Sequence, residues 1–425
     1  MFEELDRQAR EILLANDKGG FTIPTSGLYP YQWNWDSLFV ALGFATFDES
    51  RAVKEIETLF DAQAPDGFMP HIVFRRNDPD YFPGPDVWQA GGEMPTSGIT
   101  QPPVAGSVLA DLWSRTEDEA IRQRIDRLFP KVLAWHRWFN EYRVPEQTGA
   151  VIITHPWESG RDNSPEWDRP ASVIDVSNVQ PYQRRDLQHA DAHMRPTKQD
   201  YDRYIALVEY GRQTGWDHRR IGTEGPFRVA DVGMTMILLR ATRDLMMLGS
   251  KLGHPILELQ GFLERLEEGA NYLWDDELQA FCSRDTITGQ YSGYLTSASF
   301  LYAYADVGSE AQRQAMARHF ERISAATTYM LPSHDPQCEK FDPSRYWRGP
   351  LWLVVNYLAA KGFAEAGMAD WAQRVVEDSR AVVRQSGFWE AFNPESGDGT
   401  GGEAFSWTAA MWLAWLRQSA PSSEG

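Results

Sequence analysis

The chain has 425 residues and a net charge of -19, an acidic excess that argues against nucleic acid or an anionic membrane surface as its main partner, since both demand clustered Lys and Arg. It has no apolar run of about 18 residues, the length a membrane-crossing helix needs. The start, Met1-Phe2-Glu3-Glu4-Leu5-Asp6, lacks the basic and apolar regions of a signal peptide and predicts a cytoplasmic protein.

Taken in order, the chain reads as helix after helix. Asp48 and Ser50 precede a helix whose apolar residues Ala52, Val53, Ile56, Leu59 and Phe60 recur at helical spacing. Val104, Val108, Leu109 and Leu112 mark the next, and Glu117 and Asp118 crowd the first turn of another, where acidic side chains suit the positive end of the helix dipole. Val232, Met236 and Leu239 predict a helix ending at Gly249, and Leu351, Val354 and Leu358 one ending at Gly367. About a dozen helices and no sustained alternation of β-branched residues predict an all-α toroid in one domain, residues 1–425. Two connections, at about 64–100 and 154–199, are too long for hairpin turns and are rich in Pro, Gly, Trp and Asp. Long ordered loops usually carry function, so the site is expected there.

The segment Trp157-Glu158-Ser159-Gly160-Arg161-Asp162-Asn163-Ser164-Pro165 packs two carboxylates, an aromatic wall and a glycine turn into one loop. Glycosidic bonds break between two carboxyl groups, one protonating the leaving oxygen and the other working on water or the anomeric carbon. The loop supplies a candidate acid, Asp162 or Glu158. The second carboxylate lies near the C-terminus, at Glu390 in Phe388-Trp389-Glu390-Ala391-Phe392-Asn393-Pro394, or at Glu403 thirteen residues on. The 17 Trp residues exceed what an ordinary core requires and suit sugar-stacking walls. Cys282 and Cys338 lie in no CxxC or Cys/His cluster, so both read as free thiols, and neither a metal nor a cofactor is expected.

Tyr29-Pro30-Tyr31-Gln32-Trp33-Asn34-Trp35-Asp36, Met69-Pro70-His71-Ile72, Gly98 to Pro103, the Trp157 to Pro165 loop, Tyr346-Trp347-Arg348-Gly349-Pro350, Glu390 and Phe405-Ser406-Trp407-Thr408 follow one another along nearly the whole chain. Together they resemble the small bacterial members of glycoside hydrolase family 63, the mannosylglycerate and glucosylglycerate hydrolases. The resemblance implies an (α/α)6 barrel, an inverting mechanism, Asp162 as general acid and Glu390 as general base. Ala404 and Phe405 depart from it, standing where related chains often carry polar amides.

The residues themselves bear on this in several places. Asp162 must hold a proton, so a desolvating wall such as Trp157 has to raise its pKa, whereas an inward Arg161 would lower it. Glu158 is assigned to holding the loop or a sugar hydroxyl. Trp33, Trp35 and Asp36 suit a sugar subsite, with Asp36 accepting from adjacent hydroxyls, although Asp36 also fits an N-cap. Tyr29, His71 and Gln101 add polar tips. Arg195 with Tyr201 suits a carboxylate clamp, the alternative being pairing of Arg195 with Asp200 or Asp202. Trp347, Arg348, Glu403 and Trp407 complete the substrate-binding candidates, and Arg348, at a helix start, equally suits a bridge to loop carboxylates. The expected partner is a small anionic glycoside, 2-O-α-glucosylglycerate or 2-O-α-mannosylglycerate; a neutral disaccharide and a non-catalytic sugar-binding role are the alternatives.

Overall fold

In the structure, a computed structural model describing residues 2–184 and 191–419, twelve helical elements form two concentric rings. Residues 185–190, part of the predicted 154–199 connection, lie outside the described residues, as do Met1 and 420–425. The inner ring runs α2 (Asn34–Phe44), α4 (Ala105–Arg115), α7 (Val232–Leu252), the 3-10 helix Ser297–Tyr302, α10 (Leu353–Glu365) and α12 (Ser406–Met411), each packed on the next and α12 on α2. The outer ring holds α1 (Phe2–Asn16), α3 (Glu49–Phe60), α5 (Glu119–Tyr142), α8 (Leu257–Tyr272), α9 (Glu310–Ala326) and α11 (Ala369–Ser386). This is an (α/α)6 barrel.

Polarity decides which ring a helix joins. Every residue of α2 is buried, as a helix sandwiched on all sides requires, whereas α3 buries one stripe containing Val53, Ile56, Leu59 and Phe60 and leaves the rest to solvent. The Asp48 side chain accepts from the Arg51 N–H at the start the sequence marked, whereas Asp118 lies ahead of the first turn and caps the helix that begins at Glu119, its side chain accepting from the Ala120 N–H. Two predicted boundaries move. Gly249 does not end α7, which continues to Leu252; a Cβ at 249 would stand 2.8 Å from the Phe129 ring, so this glycine serves helix packing rather than termination. Leu351 precedes α10 and bridges Phe392 in extended conformation.

Because outer and inner helices alternate, every outer-to-inner connection arrives at the same end of the barrel. Two of these connections are long. The first folds back as two-residue strands, Ile72–Val73 pairing with Pro95–Thr96 on one side and with Gln32–Trp33, just ahead of α2, on the other. The second holds short helical turns and then α6 (Lys198–Gln213), so it runs well past residue 199 before Val229–Ala230 pairs with Ile152–Ile153 and the chain enters α7. Among the described residues no helix is long and apolar enough to cross a membrane, and Cys282 and Cys338 are free thiols.

Candidate active site

The connections line an open cavity walled largely by aromatic side chains with a few polar groups among them, the concave setting in which a small ligand binds. Glu390 lies on its wall at the start of the hairpin formed by Ala391–Phe392 and Gly399–Thr400. The Glu390 N–H donates to the Gly402 carbonyl at 2.8 Å, and the Gly402 N–H donates back to Glu390 Oε2 at 3.1 Å. Oε1 accepts from the Tyr29 hydroxyl at 2.9 Å and the Tyr346 hydroxyl at 3.2 Å. Arg195 Nη1 stands 3.7 Å from Oε2. Burial pushes the Glu390 carboxyl above the usual range, against the Arg195 charge and these donors. Burial also drives both phenols well above their usual pKa, which keeps them protonated as donors.

The loop bearing Asp162 comes from the other long connection. Pro156–Ser159 forms one 3-10 turn, closed by Gly160 at φ +66°; a Cβ there would meet Trp35 Cζ2 at 2.7 Å. Asp162 lines the cavity, while the Arg161 side chain turns away into the barrel, where Nη1 donates to Glu166 Oε2 and Nη2 to Asp231 Oδ1 at 2.8 Å. The cation beside Asp162 in sequence is thus engaged by two carboxylates.

Asp36, in the first turn of α2, is a third carboxyl on the wall. Burial, then Glu390 and Asp162, raise its pKa well above the usual value. The N-cap is Trp33, so Asp36 does not cap the helix. Trp35, Trp347, Trp352 and Trp407 make the aromatic wall; the Trp347 and Trp352 rings stack at 3.9 Å and Trp35 meets Trp407 edge-on at 5.8 Å. Gln101 Oε1 accepts from the Trp35 N–H at 3.2 Å. His71 Nδ1 lies 2.7 Å from Ser97 Oγ, and burial, reinforced by His155, holds this imidazole neutral.

The sequence profile of the mannosylglycerate hydrolase MGH1-like glycoside hydrolase domain matches residues 29–408. The chain belongs to this glycoside hydrolase family. It is 46% identical to mannosylglycerate hydrolase of Thermus thermophilus, covering 96% of this chain and all of that one. It is 32% identical to glucosylglycerate hydrolase of Mycolicibacterium hassiacum, over 97% of this chain and 98% of that one. The crystal structure of the family 63 mannosylglycerate hydrolase from Thermus thermophilus in complex with Tris and D-glycerate superposes with a TM-score of 0.94 at 46% identity, covering 97% of this chain and 100% of that one.

In this hydrolase Tyr29, Trp33, Trp35, Asp36, His71, Gln101, Trp157, Asp162, Arg195, Tyr201, Trp347, Glu390 and Trp407 converge on one cavity. Three predicted substrate contacts do not line it. Glu158 is fully buried behind the wall, its Oε2 accepting from the Thr154 N–H at 2.7 Å and its Oε1 lying 3.3 Å from Arg143 Nη2, so it holds the loop. Arg348 donates from Nη1 to Asp168 Oδ2 at 3.0 Å, the loop bridge its helix-start position suited. Glu403 is exposed; its backbone carbonyl accepts from Thr25 Oγ1 at 2.6 Å. The guanidinium of Arg195 lies 4.2 Å over the Tyr346 ring, and that of Arg184 lies over the Tyr201 ring. Asp200 is taken up in a capping box with Thr197 at the start of α6. Sequence reasoning left Tyr346 unassigned, although it adjoins Trp347; its signal was that motif. Tyr81, Phe82, Trp88 and Trp352 also line the cavity, and only folding of the first insertion and the α10 entry brings them there.

Proposed function

We propose that this glycoside hydrolase cleaves the α-glycosidic bond of a hexosylglycerate, 2-O-α-mannosylglycerate or 2-O-α-glucosylglycerate, with inversion at the anomeric carbon. The observation that carries the reading is the convergence on one cavity of Asp162, a donor-cradled Glu390 and the cation Arg195 between two phenols. Asp162 protonates the glycosidic oxygen, the C–O bond breaks with its electron pair going to glycerate, and Glu390 takes a proton from the water that attacks the opposite face. A buried carboxylate with a raised pKa is a stronger base than a solvated one, and the Tyr29, Tyr346 and Gly402 donors with Arg195 favour its ionised form against that burial. Trp33, Trp35 and Asp36 grip the sugar, with the indoles on its apolar face. Arg195 with Tyr346 receives the glycerate carboxylate.

Time-resolved proton NMR on an equimolar mixture of α-glucosylglycerate, α-mannosylglycerate and trehalose tests this. The expected first product is the β-anomer of one hexose together with glycerate. First appearance of the α-anomer removes inversion. Consumption of trehalose alone moves the substrate to a neutral disaccharide, and binding without product to a sugar-binding role.

A further inference from the structure

We infer that the buried Arg161–Asp231–Glu166 cluster is the positioning device of the proton donor, holding Asp162 toward the glycosidic oxygen; the inference rests on Asp162 being that donor. Arg161 is almost wholly buried and donates in two directions, to Glu166 and to Asp231. Both carboxylates are anchored elsewhere. Asp231 Oδ1 also accepts from the Met234 N–H at 3.1 Å as the N-cap of α7, so it is fixed to an inner helix. Glu166 Oε1 accepts from Ser283 Oγ at 2.7 Å and Oε2 from Ser164 Oγ at 3.0 Å.

The backbone on either side is pinned as well. The Arg161 carbonyl accepts from Trp167 Nε1 at 2.7 Å and the Asp162 carbonyl from the Tyr204 hydroxyl at 2.8 Å. With the side chain of 161 drawn into the barrel and these carbonyls fixed, the side chain of 162 is left facing the cavity. A buried ion cluster of this kind is a costly way to gain stability, because desolvation offsets much of the attraction, and it is well suited to fixing one geometry. A proton donor displaced by about 1 Å loses rate steeply, so such fixation matters at Asp162 more than at any neighbour.

A leaving group that needs no proton separates positioning of the acid from general loss of structure. The pair of substrates is the hexosylglycerate and the α-fluoride of the same hexose, since fluoride departs as the anion with little acid assistance. Asp231→Asn and, as a second variant that keeps the cation, Arg161→Lys are expected to lower kcat on the hexosylglycerate roughly tenfold or more with KM within about twofold, and to leave kcat on the fluoride within about threefold. Asp162→Asn should show the same split more strongly, and Glu390→Gln should lose both substrates. Equal losses on the two substrates for Asp231→Asn and Arg161→Lys, or no loss on either, overturn the positioning role while Asp162→Asn still splits. If Asp162→Asn itself loses both equally, the donor assignment falls and the positioning role falls with it.

Discussion

At the scale of single residues, the site is a contest among carboxyl groups for the few donors that line the cavity. Glu390 collects two phenols, a backbone N–H and a guanidinium, whereas Glu403 is exposed to water. Replacing Glu390 by Gln is therefore expected to lower kcat by roughly 10²–10⁴ with the fold intact, and Glu403→Gln to leave it unchanged. Steady-state rates with a circular dichroism check decide between the two. Arg195 stands beside Glu390, and in the proposed function it also receives the aglycone carboxylate. Its positive charge favours the ionised carboxylate, so Arg195→Met raises the Glu390 pKa further. Activity that needs ionised Glu390 is lost as pH falls through that pKa, hence the acidic limb of the kcat profile should move to higher pH. On a hexosylglycerate KM should rise roughly tenfold or more, and on the corresponding glycerol glycoside it should scarcely change. An unmoved limb and an unmoved KM together would remove Arg195 from both roles.

At the scale of elements, the loop bearing Asp162 depends on a backbone turn that few residues can make. Gly160 combines φ +66° with Trp35 at 2.7 Å from where a Cβ would be, so Gly160→Ala both strains the turn and pushes an indole that lines the cavity. A destabilisation of about 1–3 kcal/mol is expected, with a loss of kcat larger than that seen when an exposed glycine such as Gly289 is replaced by Asn. Denaturant melts and rates on both variants check this. The elements were unevenly legible in sequence. Helical periodicity marked α3 and α4 because burial of one stripe repeats along the chain, and acidic residues marked the starts of α3 and α5. The end of α7 was misplaced since Gly249 answers to Phe129 on an outer helix, a neighbour distant in sequence.

At the scale of the molecule, the barrel closes by bringing its ends together. Trp412 Nε1 donates to Asp6 Oδ1 at 2.7 Å, and α12 packs between α1 and α2. Three buried imidazoles away from the cavity wall give this fold a pH dependence that does not involve the cavity carboxyls. Burial lowers His136 and His155 to about 3 and His334 to about 4, from an ordinary 6.5. Between those values the unfolded chain binds protons that the folded one refuses, so stability is fully present above about pH 6.5 and falls on acidification. Each group costs on the order of 1 kcal/mol at pH 5.5, and the thermal midpoint should drop between pH 7 and 5.5. A flat midpoint over that window would show that these imidazoles are already protonated in the fold. We further propose that residues 1–425 unfold in one transition, because the ring has no free edge at which to divide; two separate calorimetric peaks would count against it.

The sequence by itself determined which chemistry was present and roughly where: two carboxyl-bearing segments, an aromatic excess, and helices spaced for a toroid, all readable because they are local patterns of side-chain type. Tertiary structure alone decided which carboxyl faces the cavity. Glu158 and Asp162 are four residues apart in one loop, yet Arg143 at the end of α5 lies against the first, and the pull of Asp231 and Glu166 on Arg161 turns the second outward. Likewise Tyr346 joined Glu390, and Arg348 joined Asp168, through contacts between segments far apart in the chain. The direction of a side chain depends on partners that only the closed barrel brings within reach, and no spacing along the chain encodes them.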